Sequence, residues 1–361
     1  MPFNVNKIAY NCCIILQINI NQNLTKRQHI LLIKMVKSNS ISVRRVKQMS
    51  NKAKTKQNST VLEEFKKNIA LFIMLLPGLI VMLFNNYLPM FGLVFAFRKM
   101  DTYTKLFGSG WNGFKNFEYL FGTSKAWQVT RNTIGYNVIF IIIGVTLPII
   151  IALGLNELRQ KRAAKVYQSI FFLPYFLSWV IIQYLVFGLL SSKLGVVNQL
   201  LTSMGLDRVN WYESPQYWPY VLVIVNTWKW TGYDSIMYLA TIVGINKELY
   251  EAAAVDGASR LQQIWCITIP SLIPLMITLV LIRLGRMFYT DMGLFYSVPR
   301  NTGALQDVTN TIDTYVFRAF RNTGDIGLAS AAGFYQAVLG LVIVLSFNAL
   351  ARKYDKNAGI I

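Results

Sequence analysis

The sequence predicts an all-α membrane protein with six transmembrane helices, and three observations predict it. Of its 361 residues, 54% are hydrophobic and only 14% charged, with a mean hydropathy of +0.39. That balance is too apolar for an ordinary soluble globule. Six separate stretches are long and apolar enough to cross a hydrocarbon core of about 30 Å at about 1.5 Å per residue. Lysine and arginine then collect in alternate loops, as cytoplasmic flanks of a multi-pass protein require.

In chain order, residues 1–62 form a basic tail with eleven Lys/Arg and no acidic residue. It holds more than half of the net charge of +20, which therefore does not argue for nucleic-acid binding. Asn, Ile and Lys dominate the tail without a period, so it is expected to be disordered, either as a basic arm on anionic headgroups or in part as translated upstream sequence. Met49 would then be the natural start and residues 1–48 would be absent from the native protein. The apolar run 14–20 is too short for a signal peptide and lacks a small-residue cleavage site.

The remainder, 63–361, is read as one six-span domain. Its first span, 69–97, is interrupted by Asn85-Asn86 and Pro89 and is expected to be tilted or broken. The others are 134–155, 168–190, 219–245, 271–289 and 327–350. The 159–165 loop has four basic residues in seven, and Arg352, Lys353 and Lys356 follow the last span. Both mark the cytoplasm, which puts the N- and C-termini there. The 98–133 loop conflicts in part, with six basic residues. It also carries eight aromatics, including Trp111, Phe114, Tyr119, Phe121 and Trp127, so it is read as a folded external segment near the interface. By alternation, loop 246–270 is cytoplasmic.

That loop, between two very apolar spans, is polar and structured. Asn246 can cap a helix favoured by Glu248, Glu251 and alanines 252–254. Asp256-Gly257 breaks it, and Ser259 with Gln262 has the form of a capping box opening a second helix toward Pro270. Glu251-Ala252-Ala253, three residues, Gly257, nine residues, then Ile267-Thr268-Ile269-Pro270 resembles the EAA loop of permease subunits of binding-protein-dependent (type I) ABC importers. Ile269 stands where that pattern usually has Leu. Residues 75–98, 110–133 and 307–338 are similar to the oligosaccharide and polysaccharide branch of the family, the lipoprotein-oligosaccharide permeases.

The resemblance implies a bundle in the bacterial cell membrane whose loop is a coupling helix docking into a separate ATP-binding subunit. Glu251, Ala252, Ala253, Asp256, Gly257, Ile267 and Pro270 would carry that contact. It implies a second related permease, an extracytoplasmic solute-binding protein and a saccharide substrate. Cofactors would be absent from this chain, ATP and Mg²⁺ being bound by the partner ATPase.

Read by itself, the chain offers little chemistry. It has no GxxxxGK[ST] loop to cradle a nucleotide, no GxSxG elbow and no HExxH. Its three cysteines and one histidine make no spaced metal set. No enzymatic activity is therefore expected. Polar groups inside spans are the remaining candidates, because a charge at the bilayer centre costs about 2.5–3.5 kcal/mol on insertion scales. The fourth span holds Asn226, Trp228, Lys229, Trp230, Tyr233 and Asp234 near its middle. Lys229 and Asp234 lie about 140° apart on a helix and cannot form a simple pair. Aromatics with a few polar groups suit sugars in a translocation cavity, and equally suit a neighbouring helix or companion subunit. Arg283 and Arg286 share a face of the fifth span, to hold an acidic sugar, to meet a partner, or to snorkel to the interface. Tyr335 and Gln336 are weaker pathway candidates. Gly327/Ala331 and Ala329/Gly333 are read as a helix-packing surface. Two other classes stay open: an ion-coupled secondary carrier, and a membrane scaffold or enzyme of cell-envelope glycan metabolism.

Overall fold

The structure, a computed structural model, describes residues 66, 68–99, 110–158 and 160–354. The basic tail over 1–62, with its late start at Met49, lies outside the described residues. Their regular structure is helical, with no strand among them and a single β-bridge between Arg98 and Trp111. The chain divides into two compact units: one runs up to Met90 and includes Glu248–Pro270, the other comprises Phe91–Lys247 and Ser271–Ile361.

Helix α1, Ile69–Met82, opens the first apolar span and passes into a π-turn at Leu83–Tyr87 and a 3₁₀ segment at Leu88–Phe97. The expected interruption is thus a change of helical pitch. Pro89 has no N–H for the carbonyl four residues back, and Asn86 turns its amide onto the Met82 carbonyl at 3.3 Å.

In the larger unit, α2, Lys115–Phe121, is a short helix held by Asn116, whose Nδ2 donates to the carbonyls of Ala96 and Arg98 at 2.8 and 2.9 Å. Helix α3, Ser124–Glu157, starts ten residues before the apolar run expected at 134–155. Its first turns are polar, yet they bury one stripe: Ala126, Val129, Thr133 and Tyr136, continuing through Pro148, Ala152 and Leu155 at helical spacing.

The span expected over 168–190 is two half-helices, α4 Lys161–Phe176 and α5 Trp179–Leu190, meeting at 100°. Pro174 weakens the end of α4, Leu177 and Ser178 are extended, and the Ser178 hydroxyl caps α5 by accepting from Ile181 N. Helix α6, Val196–Ser203, follows in the loop, and α7, Trp218–Val243, packs along α3 and α4. At 26 residues α7 is long enough to cross, but Lys229 and Asp234 interrupt its apolarity. Four described helices are long and apolar enough by composition to span, or five with the bent pair counted as one.

Two short helices of the smaller unit, α8 Lys247–Val255 and α9 Arg260–Gln263, lead through a π-turn at Ile264–Thr268 into α10, Ile269–Gly285. The helix expected to run to 289 ends at Gly285, and Arg286 sits in the turns beyond it. After a four-residue helix α11, Gln306–Thr309, come α12, Ile312–Asn322, and α13, Ile326–Tyr354.

The 305–314 connection is pinned to α3: Asn132 Nδ2 donates to the Asp307 and Asn310 carbonyls, and the Tyr136 hydroxyl to that of Val308 at 2.9 Å. The largest apolar cluster joins Tyr136, Ile182, Trp218, Leu222 and Phe295. Gly327 lies so close to Asn116 and the Arg98 carbonyl that a Cβ there would stand 3.0–3.2 Å away, and Ala329 and Ala331 are buried. Gly327, Ala329 and Ala331 thus serve helix packing, whereas a Cβ at Gly333 would meet nothing within 4 Å.

Candidate functional site

Two groups of residues were singled out by the sequence, and the structure places them in different units. In the smaller unit, α8 ends in a Schellman motif. Ala258 N donates to the Ala253 carbonyl at 2.8 Å and Gly257 N to that of Ala254 at 3.1 Å, with Gly257 at φ +81°. A residue with a Cβ is strained in that conformation. The capping box forms: Ser259 N donates to Gln262 Oε1 at 2.7 Å while the Ser259 hydroxyl accepts from Gln262 N. The Tyr250 and Thr268 hydroxyls are bonded at 2.8 Å, closing the two arms on each other.

Between the arms lies a concavity of about 470 Å³ lined by Tyr250, Glu251, Ala254, Gly257, Arg260 and Gln263 among others. Glu251, Ala252, Asp256 and Gly257 are exposed, and Ala253, Ile267 and Pro270 are partly so. Large apolar side chains ring the same region in the open, with Val255 88%, Leu261 70% and Trp265 66% exposed. Exposed apolar groups around a carboxylate on a rigid turn form a surface suited to another protein chain.

In the larger unit, Lys229 and Asp234 are both buried and do not pair with each other. Asp234 instead forms an ion pair with Arg283 of α10, whose other guanidinium nitrogen donates to the Phe140 carbonyl at 3.3 Å. Gly144 makes this possible, since a Cβ there would overlap the guanidinium. Lys229 donates from Nζ to the carbonyls of Tyr175 and Leu177, at 3.2 and 2.5 Å, at the break between α4 and α5. It also lies 5.0 Å from the Trp179 ring centroid. The Trp179 indole N–H donates to Asp291 at 2.7 Å, and Asp291 accepts from Gly293 N at 2.8 Å. Gly293 has to be glycine, because a Cβ would strike the indole.

Around Lys229 the aromatics gather. Tyr175 and Tyr233 stack at 4.5 Å, Trp230 meets Tyr175 edge-on at 5.5 Å, and Phe172 stacks on Tyr175 at 5.5 Å. Trp228 is 46% exposed and Asn226 partly so. The remaining candidates lie elsewhere. Arg286 is exposed beyond α10. Tyr335 bonds Thr130 at 3.3 Å and meets the Phe121 ring, while Gln336 is buried and donates to the Phe288 carbonyl and to Asp313 at 2.7 and 2.9 Å. No described contact joins Tyr335 or Gln336 to the Lys229 cluster.

Sequence reasoning missed Trp179, Asp291, Gly144 and Gly293. Their partners lie far along the chain, 112 residues in the Trp179–Asp291 case, so no local spacing announces them.

Comparison with known proteins gives a consistent result. Residues 144–356 match the family described as "Binding-protein-dependent transport system inner membrane component". The chain is 32% identical over 287 residues to the polygalacturonan/rhamnogalacturonan transport system permease protein YteP of Bacillus subtilis (strain 168), covering 80% of this chain and 89% of that protein. It is 30% identical over 293 residues to protein LplB of the same organism, covering 81% and 91%. Among solved structures, it resembles a chain of a bacterial ABC transporter involved in the import of the acidic polysaccharide alginate, with a TM-score of 0.75 and 36% identity, covering 82% of this chain and 99% of that one.

Proposed function

This chain belongs to the family of binding-protein-dependent transport system inner membrane components, and on that premise we propose how its parts serve transport. It is a multi-pass membrane protein and a permease subunit of a sugar ABC importer, not an enzyme; ATP hydrolysis belongs to a separate subunit. The carrier and envelope-scaffold readings find no support beside this membership.

We infer further that the chain crosses the membrane six times, with α4 and α5 as one broken span, α7 as a polar-centred one, and both termini cytoplasmic. It forms half of the pathway, with a second related permease as the other half and an extracytoplasmic binding protein delivering an oligosaccharide or polysaccharide fragment. Loop 246–270 docks a separate ATPase, which alone binds ATP and Mg²⁺. The α7 aromatics with Lys229 line or brace the pathway.

The observation that carries the coupling role is the geometry of α8 and α9, two rigid arms set by Gly257 and presenting exposed Glu251, Val255 and Leu261. ATP-driven closure of the ATPases would move such arms as levers and switch the bundle between inward- and outward-facing states. The test is purification of the chain from its native membrane in mild detergent, with identification of its partners and measurement of ATPase activity on adding binding proteins loaded with neutral or acidic saccharides. Co-purification of an ATPase and a second permease, with stimulation by one loaded binding protein, is the expected result. A chain that comes out alone and transports under an ion gradient overturns it.

A further inference from the structure

Helix α3 carries a continuous outward stripe opposite its buried one. Trp127, Arg131, Gly135, Val138, Ile142, Thr146, Ile150 and Gly154 are all exposed and follow one another at intervals of three or four residues, so they form one stripe that winds slowly about the helix. The stretch without charge, from Gly135 to Gly154, is about 29 Å long at about 1.5 Å per residue. This matches a hydrocarbon core of about 30 Å. Trp127 and Arg131 stand just past one end of it, and Asn156 and Glu157, also exposed, past the other.

The Trp127 end is not an isolated edge. Helix α2 ends at Phe121, shortly before α3 begins, and its exposed Tyr119 and Phe121 join Trp127, which is 73% exposed. Lys115, Lys125 and Arg131 are exposed among them, and the Arg131 side chain makes no hydrogen bond or ion pair among the described residues. Glu118 is the one acid exposed on α2. Indole and phenol rings with a polar edge, interleaved with snorkelling cations, suit the layer where headgroup meets acyl chain. The excess of positive charge calls for anions, which the phosphates of lipid headgroups supply.

We propose that α2 and the first two turns of α3 form a collar that binds phospholipid headgroups through Trp127 and Arg131, with preference for anionic lipid. The collar accounts for Lys115, Lys125 and Arg131, three of the six basic residues of the 98–133 segment, which conflict with an external placement if charge alone decides topology. The inference rests on the membrane-spanning reading of α3, and the experiment separates the two.

The full chain, with its co-purifying subunits, is reconstituted in nanodiscs of equal parts phosphatidylglycerol and phosphatidylcholine. A photocrosslinking benzoylphenylalanine replaces either Trp127 or, as a control, Ile142, and adducts are identified by mass. At position 127 the expected adducts are phospholipid, enriched about five-fold in phosphatidylglycerol. That enrichment falls to parity with Arg131→Gln, and position 142 gives both lipids equally throughout. Adducts from 127 to another protein chain, or lipid adducts there without enrichment, overturn the collar while lipid at 142 upholds the span. Absence of lipid at 142 overturns the spanning reading itself.

Discussion

Arg283 of α10 is paired with Asp234 of α7 inside the helical bundle, across a gap left open by the missing side chain of Gly144 on α3. Three helices thus meet at one charge pair, with Asp234 buried and Arg283 partly so. Removing one partner strands the other charge. Arg283→Met is expected to destabilise the fold by about 3–5 kcal/mol, whereas the double change Asp234→Asn with Arg283→Met costs less than that single change. Gly144→Val should act like Arg283→Met by displacing the guanidinium. Thermal unfolding in detergent followed by size-exclusion fluorescence reads all of them, and a double variant no better than Arg283→Met would refute the pairing.

Lys229 supplies the hydrogens for the Tyr175 and Leu177 carbonyls that the 100° break leaves without helical partners. Lys229→Met leaves them unsatisfied, at about 1–3 kcal/mol each. Trp179→Phe removes the donor to Asp291 and is expected to loosen the same break. The two changes should be non-additive because they act on one bend. Hydrogen exchange over the start of α5 is the measurement; additive effects would separate the two contacts.

Gly257, at φ +81°, sets the angle between α8 and α9. Gly257→Val strains that position by about 1–3 kcal/mol and should misdirect the arms. Uptake falls, while ATP hydrolysis continues without matching transport. Unchanged uptake with wild-type ATPase association would defeat the coupling role.

Tyr212, outside the spans, has a buried hydroxyl with no hydrogen-bond partner among the described residues. Burial pushes its pKa from 10.0 up to about 12, with the Arg300 charge pulling the other way. Between those values the folded state keeps a proton that the unfolded chain has released, so its contribution is constant below about pH 10 and is lost as pH rises toward 12. Tyr212→Phe is expected to remove that alkaline loss and to leave neutral-pH stability equal or higher, since no hydrogen bond disappears. Ultraviolet tyrosinate titration beside unfolding at pH 8 and pH 11 tests it; an identical alkaline loss in the variant would rule it out.

Much of this protein was legible in its sequence because it depends on local chemistry. Apolar runs about 20 residues long locate spanning helices whatever surrounds them. Gly257 and the Ser259–Gln262 box shape loop 246–270 through φ preference and capping within a few residues, which made that loop readable in detail. The impossibility of a Lys229–Asp234 pair followed from helical angle alone.

What those two charges do instead was decided only by the tertiary structure. Arg283 lies 49 residues from Asp234, and the carbonyls that hold Lys229 lie 52 and 54 residues back, on a helix that looked continuous. Pro174 and Ser178 permit the break, but Lys229 from α7 satisfies what it exposes. The early start of α3 is of the same kind, its polar turns being helical because Asn132 and Tyr136 bind the 305–314 backbone. Sequence fixes which groups must be satisfied in an apolar surrounding; packing chooses which distant partner satisfies each one.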